Sequence, residues 1–144
     1  MKFTQYSLVS SNFDPSTGIS TVVINTDIGT FQGTSKLHPE EKYVSNFAGC
    51  QNAEYRAIAK ALRAVLRITR AELKTLIDTY TAMTDHRYCD ITSIPCRVMR
   101  MKIAEKKEEI NTILATIDQV KKTEKAQFEK YINVRERLAK KDKA

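Results

Sequence analysis

The stretch Gln51–Met83 constrains the fold of this chain more than any other feature. Its apolar residues recur at steps of three and four, which is the period of one face of an α-helix. It contains neither glycine nor proline and is rich in good helix formers such as alanine, leucine and arginine. Such a helix spans about 50 Å. A small sheet cannot cover a stripe of that length, so we expect it to pack on a second helix and on another copy of the chain.

The residues before this helix predict a three-stranded antiparallel meander. A first strand is expected within residues 2–10, and turn formers then crowd residues 10–18. The second strand is Ile19–Thr26, which is β-branched almost throughout. The third is residues 30–37, which alternate, and Gly29 allows the tight connection before it.

A second helical stretch follows the first after a short link. Thr84–Pro95 is rich in turn formers, and the helical period resumes at Val98. It continues without glycine or proline to the basic tail Lys140–Ala144. Two long helices joined by a short link are expected to form an antiparallel hairpin, with the longer second helix overhanging the first.

The predicted fold class is therefore α+β, a small N-terminal antiparallel sheet followed by a long C-terminal antiparallel helical hairpin. At this length we expect one domain, residues 1–144, with a sheet region at 1–48 and the hairpin at 49–144. Gly49 is expected to break the chain just before the long helix. Asn52, or Ser45 for an earlier start, is the predicted helix cap.

Composition limits the setting and the partners. No apolar run approaches the length of a membrane span, and the N-terminus has no signal-peptide run, so a cytoplasmic protein is expected. Three cysteines without short spacing argue against a disulfide framework. The net charge of +7 suits an anionic partner, although lysines and arginines that merely coat the outer helix faces would give the same balance.

The residues do not predict an enzyme. Neither a nucleophile elbow nor a phosphate-cradling glycine loop is present in the sequence. Asp27 and Glu54 are placed like acidic residues of ribonuclease H-like enzymes, but that fold needs further strands after the helix. His86, Cys89 and Cys96 lie near one another without the usual zinc spacing. We therefore expect no catalytic residues, metal or cofactor.

Binding residues are predicted at the interhelix segment and at the end of the sheet. Arg97 and Arg100 share a helix face near an N-terminus, a favourable place for phosphate, and Tyr88 could stack on a base. The alternative is a solvated basic cap. Arg56 needs a carboxylate or an anionic ligand if it is buried. The predicted ligand contacts are Phe31, Lys36, His38, Arg56, Tyr88, Arg97 and Arg100.

Short motifs in the first 60 residues resemble the first family of phage anti-Thoeris proteins. The residues that carry the resemblance are Asp14, Pro15, Gly18, Ile19, Ser20, Val22, Ile24, Thr26, Gly29, Phe31, Gly33, Thr34, Leu37, His38, Pro39, Glu40, Glu41, Phe47, Gly49, Ala53, Glu54, Arg56 and Ala57. Glu41 stands where that family has Asp, and the last helix is long. The C-terminal half is similar only in its two long helices.

The resemblance implies a sponge that binds a signal of the cyclic ADP-ribose type without degrading it, and so blocks activation of the Thoeris effector. Some members are similar in binding cyclic oligonucleotides. It further implies that the protein acts in the infected bacterial host. It also implies a homo-oligomer, either a dimer or a larger assembly, that holds the ligand between protomers. We expect the ligand between the sheet of one protomer and the interhelix region of another, with Phe31 or Tyr88 on adenine. Neither a membrane nor nucleic acid is an expected partner.

The alternative from another class is a basic nucleic-acid-binding or structural phage protein with a helical-hairpin dimer core. An adaptor that binds no small ligand is a third reading. Salt dependence separates the first two, because a polymer binder loses affinity steeply as salt rises and a pocket for one nucleotide does not.

Overall fold

A three-stranded antiparallel sheet precedes two long helices, so the predicted α+β class is confirmed. The computed structural model describes residues 5–36, 46–85 and 89–143, with side chains except at 46–48, 131–135, 138, 139, 142 and 143. The elements in order are β1 (Tyr6–Asp14), β2 (Ile19–Thr26), β3 (Gly29–Lys36), α1 (Asn46–Thr84) and α2 (Ile94–Lys143). Neither described helix carries an apolar stretch sufficient to span a bilayer.

The first strand ends later than the sequence predicted, and residues 2–4 of its predicted range lie outside the described residues. Residues 11–14, expected in a turn, belong to β1 because they pair with β2, from Ser11 opposite Val22 to Asp14 opposite Ile19. The turn is confined to the four residues that follow, and the Asp14 carboxylate accepts hydrogen bonds there from the Ser16 amide and hydroxyl. These bonds lower the pKa of Asp14. Strand pairing therefore overrides local turn propensity in this segment.

The first helix starts earlier than predicted, and Gly49 lies inside it. α1 begins at Asn46, so the predicted boundary between residues 48 and 49 falls within its first turn. A Cβ at Gly49 would lie 2.5 Å from the Ser20 hydroxyl of β2, which explains a glycine at a helical position. Asn52 is buried within the helix, so its predicted role as the cap is wrong. The other predicted cap, Ser45, lies outside the described residues.

The second helix also extends beyond its predicted limits. α2 starts at Ile94, because Pro95 fits the first turn of a helix, where its missing N–H has no partner to lose. Ser93 caps this end, because its hydroxyl accepts from the Cys96 amide (3.5 Å), while its carbonyl accepts the first helical bond from the Arg97 amide (3.0 Å). At the other end the basic tail continues the helix to Lys143. Repeated lysine does not break a helix, since its propensity is high.

α1 lies between the sheet and α2. Its N-terminal half packs on β2 and β3, where Val22 and Ile24 are almost fully buried. Gly33 of β3 brings the strand against the backbone of α1, because a Cβ there would overlap the Ala53 carbonyl and the Ala57 amide. The core cluster is completed by residues of α1 and α2. Its buried members are Val22, Ile24, Ala53, Ala57, Ile58, Ala61, Leu62, Val65, Leu66, Ile113 and Ile117.

The helices form the predicted antiparallel hairpin. The Arg56 Nε atom lies 3.1 Å from a Glu124 oxygen, and further along α1 Glu72 pairs with Lys106 at 2.7 Å. As residue numbers rise on α1 the partners fall on α2, which defines the antiparallel direction. α2 is the longer helix, with 50 residues against 39.

The two edges of the sheet differ in protection. On β3, the outward carbonyls of Gln32 and Thr34 accept hydrogen bonds from Lys60 (2.8 Å) and Arg56 (2.7 Å) of α1. Such capping blunts an edge that could otherwise pair with another strand. β1 is more exposed, with Leu8 at 55% and Val9 at 60%, and its register shifts between Leu8 and Ser10.

A tyrosine connects β1 to α1 and makes the free energy of unfolding of the chain depend on pH. The Tyr6 hydroxyl donates to Glu54 at 2.7 Å, and this bond, with burial and the Glu54 charge, raises the pKa of Tyr6 to about 12 from 10.0. The neutral phenol is therefore favoured in the folded chain. Its contribution to the free energy of unfolding should be complete below pH 10 and lost as the pH rises to about 12.

We expect the difference in unfolding free energy between wild type and Tyr6→Phe to shrink over this pH range. Urea unfolding at pH 8, 10 and 11.5 measures this difference. The titration of the other tyrosines cancels in it, because both proteins carry them. A difference that stays constant from pH 8 to pH 11.5 would contradict the assignment.

Candidate functional site

The two arginines predicted to bind phosphate hold the interhelix link (residues 85–93). Arg97 Nε donates to the Thr92 carbonyl at 2.8 Å, and Arg100 Nη1 donates to the Ile91 carbonyl at 2.7 Å. Arg100 Nη1 also contacts the Tyr80 hydroxyl at 3.2 Å, which joins the end of α1 to the start of α2. The sequence therefore predicted correctly that Arg97 and Arg100 lie together, and the structure adds that both cap the link.

Each guanidinium group uses only one nitrogen in these bonds. Within the described residues, no acceptor contacts Nη1 or Nη2 of Arg97, or Nε and Nη2 of Arg100. The Nε and Nη2 edge of an arginine is one of the two edges that bind phosphate or carboxylate through paired hydrogen bonds. Both side chains are exposed. The link thus orients two arginines and leaves donors on each for an anion.

A cleft of about 430 Å³, which we call the link cleft, opens beside Arg100. Its lining residues are Ile77, Tyr80, Arg100, Ile103, Ala104 and Lys107. Ile77, Ile103 and Ala104 make part of this lining apolar, Tyr80 adds an aromatic ring, and Arg100 and Lys107 add two cations. This volume and this mixture of apolar walls with few charged groups are typical of sites for small organic ligands.

A second cleft of about 480 Å³ lies between the helices and suits an anion less well. Its lining includes Glu72, Glu105 and Glu109 with Lys102 and Lys106, so carboxylates outnumber cations. Lys106 is paired with Glu72 at 2.7 Å and with Glu109 at 3.2 Å. Its hydrogen bond to Glu72 raises the pKa of Lys106, which keeps the ammonium charged but already neutralised.

The other described members of the predicted site lie at the sheet. Phe31 is half-buried and packs against the core, while Lys36 is exposed at the end of β3. Arg56 has the carboxylate partner predicted as its alternative, Glu124. The rise of α1 from Arg56 to Tyr80 is about 36 Å. One chain therefore does not bring the sheet residues to Arg97 and Arg100. His38 and Tyr88 lie outside the described residues.

One of the three cysteines, Cys89, lies in the link, and Cys96 lies in the first turn of α2. Burial raises the pKa of the Cys89 thiol, and a hydrogen bond with Cys96 adds to the effect. Cys96 is buried and both are unpaired thiols. Across the described ranges, which leave out His86, no group of three histidine, cysteine or acidic residues is placed to hold a metal ion.

A line of cations on α1 was not recognised from the sequence. The α1 basic stripe consists of Arg56, Lys60, Arg63, Arg67, Arg70 and Lys74. Alternating steps of four and three place all six on one helix face, and all are exposed. This spacing of the cations is present in the sequence, but the prediction of the helix rested on its apolar residues alone.

The stripe carries an electrostatic cost within the helix. Like charges three or four residues apart destabilise a helix by about 0.2–0.5 kcal/mol a pair, and the stripe has five such pairs. Only Lys74 has a carboxylate, Asp78, at that spacing. Arg56 and Lys60 contact β3, but no hydrogen bond or ion pair joins Arg63, Arg67, Arg70 or Lys74 to any described residue.

No family model, no curated protein and no solved structure matches this chain.

Proposed function

We propose that the protein binds and sequesters a small cyclic nucleotide of the cyclic ADP-ribose type without degrading it, in the cytoplasm of an infected bacterium. The observation that carries the proposal is the link cleft, where Arg100, held by the Ile91 carbonyl, lines the same space as Tyr80 and several apolar side chains. The resemblance in the N-terminal half supplies the ligand class and the blocked Thoeris effector. Cyclic oligonucleotides are further candidate ligands of the same chemistry.

The link cleft offers both parts of a nucleotide site. Tyr80 presents a ring at one wall, and an aromatic face can stack on adenine. The open edge of Arg100 and the Lys107 ammonium provide charge for a pyrophosphate. Arg97 does not line the cleft, but it lies three residues before Arg100 on α2 and has two nitrogens without an acceptor among the described residues. Charged hydrogen bonds of this kind are each worth about 1.5–3 kcal/mol.

Sequestration fits this lining better than turnover. Among the described residues that line the cleft there is no carboxylate, histidine, serine or cysteine. Covalent catalysis requires an activated nucleophile with a base within hydrogen-bond reach, and the described lining has no serine, cysteine or carboxylate to form such a pair. We therefore propose that the bound nucleotide leaves unchanged.

We propose that a second copy of the chain closes the site. Large apolar residues around the link are exposed: Ile77, Ile91, Ile94, Val98 and Met101 at 39%, 56%, 74%, 43% and 63%. Burying apolar surface gains about 25 cal/mol per Å², which favours association. A partner docked there could also bring its Phe31 and Lys36 near the link, which a single chain does not.

Recovery of intact nucleotide tests the proposal. We expect purified protein mixed with a panel of cyclic nucleotides to retain a cyclic ADP-ribose isomer through gel filtration and to release it unaltered on heating. Light scattering on the same fraction should give at least the mass of a dimer. Recovery of a cleaved nucleotide in proportion to protein, or retention of no panel member, would reject the proposal. Boiled protein serves as the control for carry-over.

A further inference from the structure

We propose that Arg63, Arg67, Arg70 and Lys74, the distal stripe, bind the phosphate backbone of double-stranded nucleic acid. This surface is separate from the link cleft, since none of its residues lines that cleft. It also goes against the expectation from sequence that nucleic acid is not a partner. The four cations are exposed and have no ion pair with any described residue.

The distal stripe differs from an ordinary solvated helix face. On α2, Lys121 has Asp118 three residues before it and Glu124 three residues after it, so charges alternate. On α1, the three arginines of the distal stripe have only apolar or cationic residues at those spacings. Neighbouring like charges weaken a helix, and an approaching polyanion removes that repulsion. A polyanion therefore gains affinity from the same arrangement that costs the unbound helix stability.

The geometry favours a duplex backbone over other polyanions. From Arg63 to Lys74 the helix rises about 16 Å, roughly the length of five base pairs. Arginine forks suit phosphate oxygens. The segment 63–74 contains no aromatic residue, whereas proteins that bind single strands stack bases on aromatic rings. A helix that lies on a membrane inserts its apolar face, but the apolar face of α1 already packs on the sheet and α2.

Salt-dependent binding of a 20-base-pair duplex of arbitrary sequence tests the inference. Four phosphate contacts predict a slope of about −3.6 for log affinity against log salt, or a loss of roughly 100-fold between 50 and 200 mM. We expect Arg63→Gln, Arg67→Gln, Arg70→Gln and Lys74→Gln together to remove most of that slope. Arg67→Gln alone should reduce it by about one contact.

A variant of equal charge makes the test specific. Lys121→Gln, Lys122→Gln, Lys125→Gln and Lys130→Gln together remove four exposed charges from α2, and we expect them to change the slope little. Equal losses in the two quadruple variants would show a net-charge effect and overturn the inference. So would wild-type binding to anionic vesicles but not to the duplex, which would indicate a membrane.

The nucleotide proposal can fail independently of this one. The distal-stripe variant should still retain the cyclic nucleotide, because the link cleft is intact. Should the quadruple variant fold poorly by circular dichroism, the single Arg67→Gln slope decides. An unchanged slope for Arg67→Gln in a folded protein overturns the inference.

Discussion

Gly33→Ala is expected to destabilise the fold by about 3 kcal/mol or more, the upper end for overpacked cores. The added Cβ would overlap the Ala53 carbonyl and lie 2.5 Å from the Ala57 amide nitrogen, both backbone atoms of α1. Backbone cannot rotate away as a side chain can, so the helix and β3 must separate. Because β3 and β2 carry most of the sheet's contact with α1, the whole helix–sheet packing loosens. Urea unfolding followed by circular dichroism measures the loss.

Two variants separate this close approach from general effects of alanine. Gln32→Ala changes the neighbouring exposed residue of β3 and should alter the unfolding free energy by less than about 0.5 kcal/mol. Gly49→Ala meets a side chain, the Ser20 hydroxyl, so adding Ser20→Ala should relieve its cost. No such single relief exists for Gly33→Ala. A Gly33→Ala protein as stable as wild type would mean that α1 does not pack this closely on β3.

Most of the fold was predictable because its signals are local. β-branched residues predicted β2, and the apolar period of Gln51–Met83 and of the stretch from Val98 predicted the main part of each helix. The predictions were wrong where a residue distant in the sequence determines the local secondary structure. Gly49 is a break by propensity and a helical residue in the structure, since Ser20 occupies the space that a side chain would fill. Asn12 is a turn former by propensity and a strand residue by its pairing with Thr21.

The candidate site was predictable only in part, for a related reason. Helical spacing places Arg97 and Arg100 together, and that prediction needs no tertiary knowledge. Tyr80 belongs to the apolar period of Gln51–Met83, and its contact with Arg100 depends on how the two helices of the hairpin are aligned. The register that brings residue 80 to residue 100 is set by side-chain packing along both helices. The spacing of residues within one helix does not determine this register between the two helices.

Arg97→Ala with Arg100→Ala is expected to lower the affinity for a cyclic ADP-ribose isomer at least 100-fold. Each charged hydrogen bond to phosphate contributes about 1.5–3 kcal/mol, a ten- to hundredfold effect for each arginine. Isothermal calorimetry on the folded double variant measures it. Arg67→Ala is the matched control, because it removes an exposed arginine from α1 and should leave nucleotide affinity unchanged.

The structural role of Arg97 and Arg100 in the link must be separated from their role in ligand binding. Losing the bonds to the Thr92 and Ile91 carbonyls should itself cost about 1 kcal/mol of stability for each bond. Melting temperature reports that loss, while affinity measured well below the melting point reports the ligand contact. Arg100→Lys sharpens the distinction, because a lysine keeps the charge but cannot hold the Ile91 carbonyl and present a two-nitrogen edge to phosphate. A lower melting temperature with unchanged affinity would leave both arginines as caps of the link and reject them as phosphate ligands.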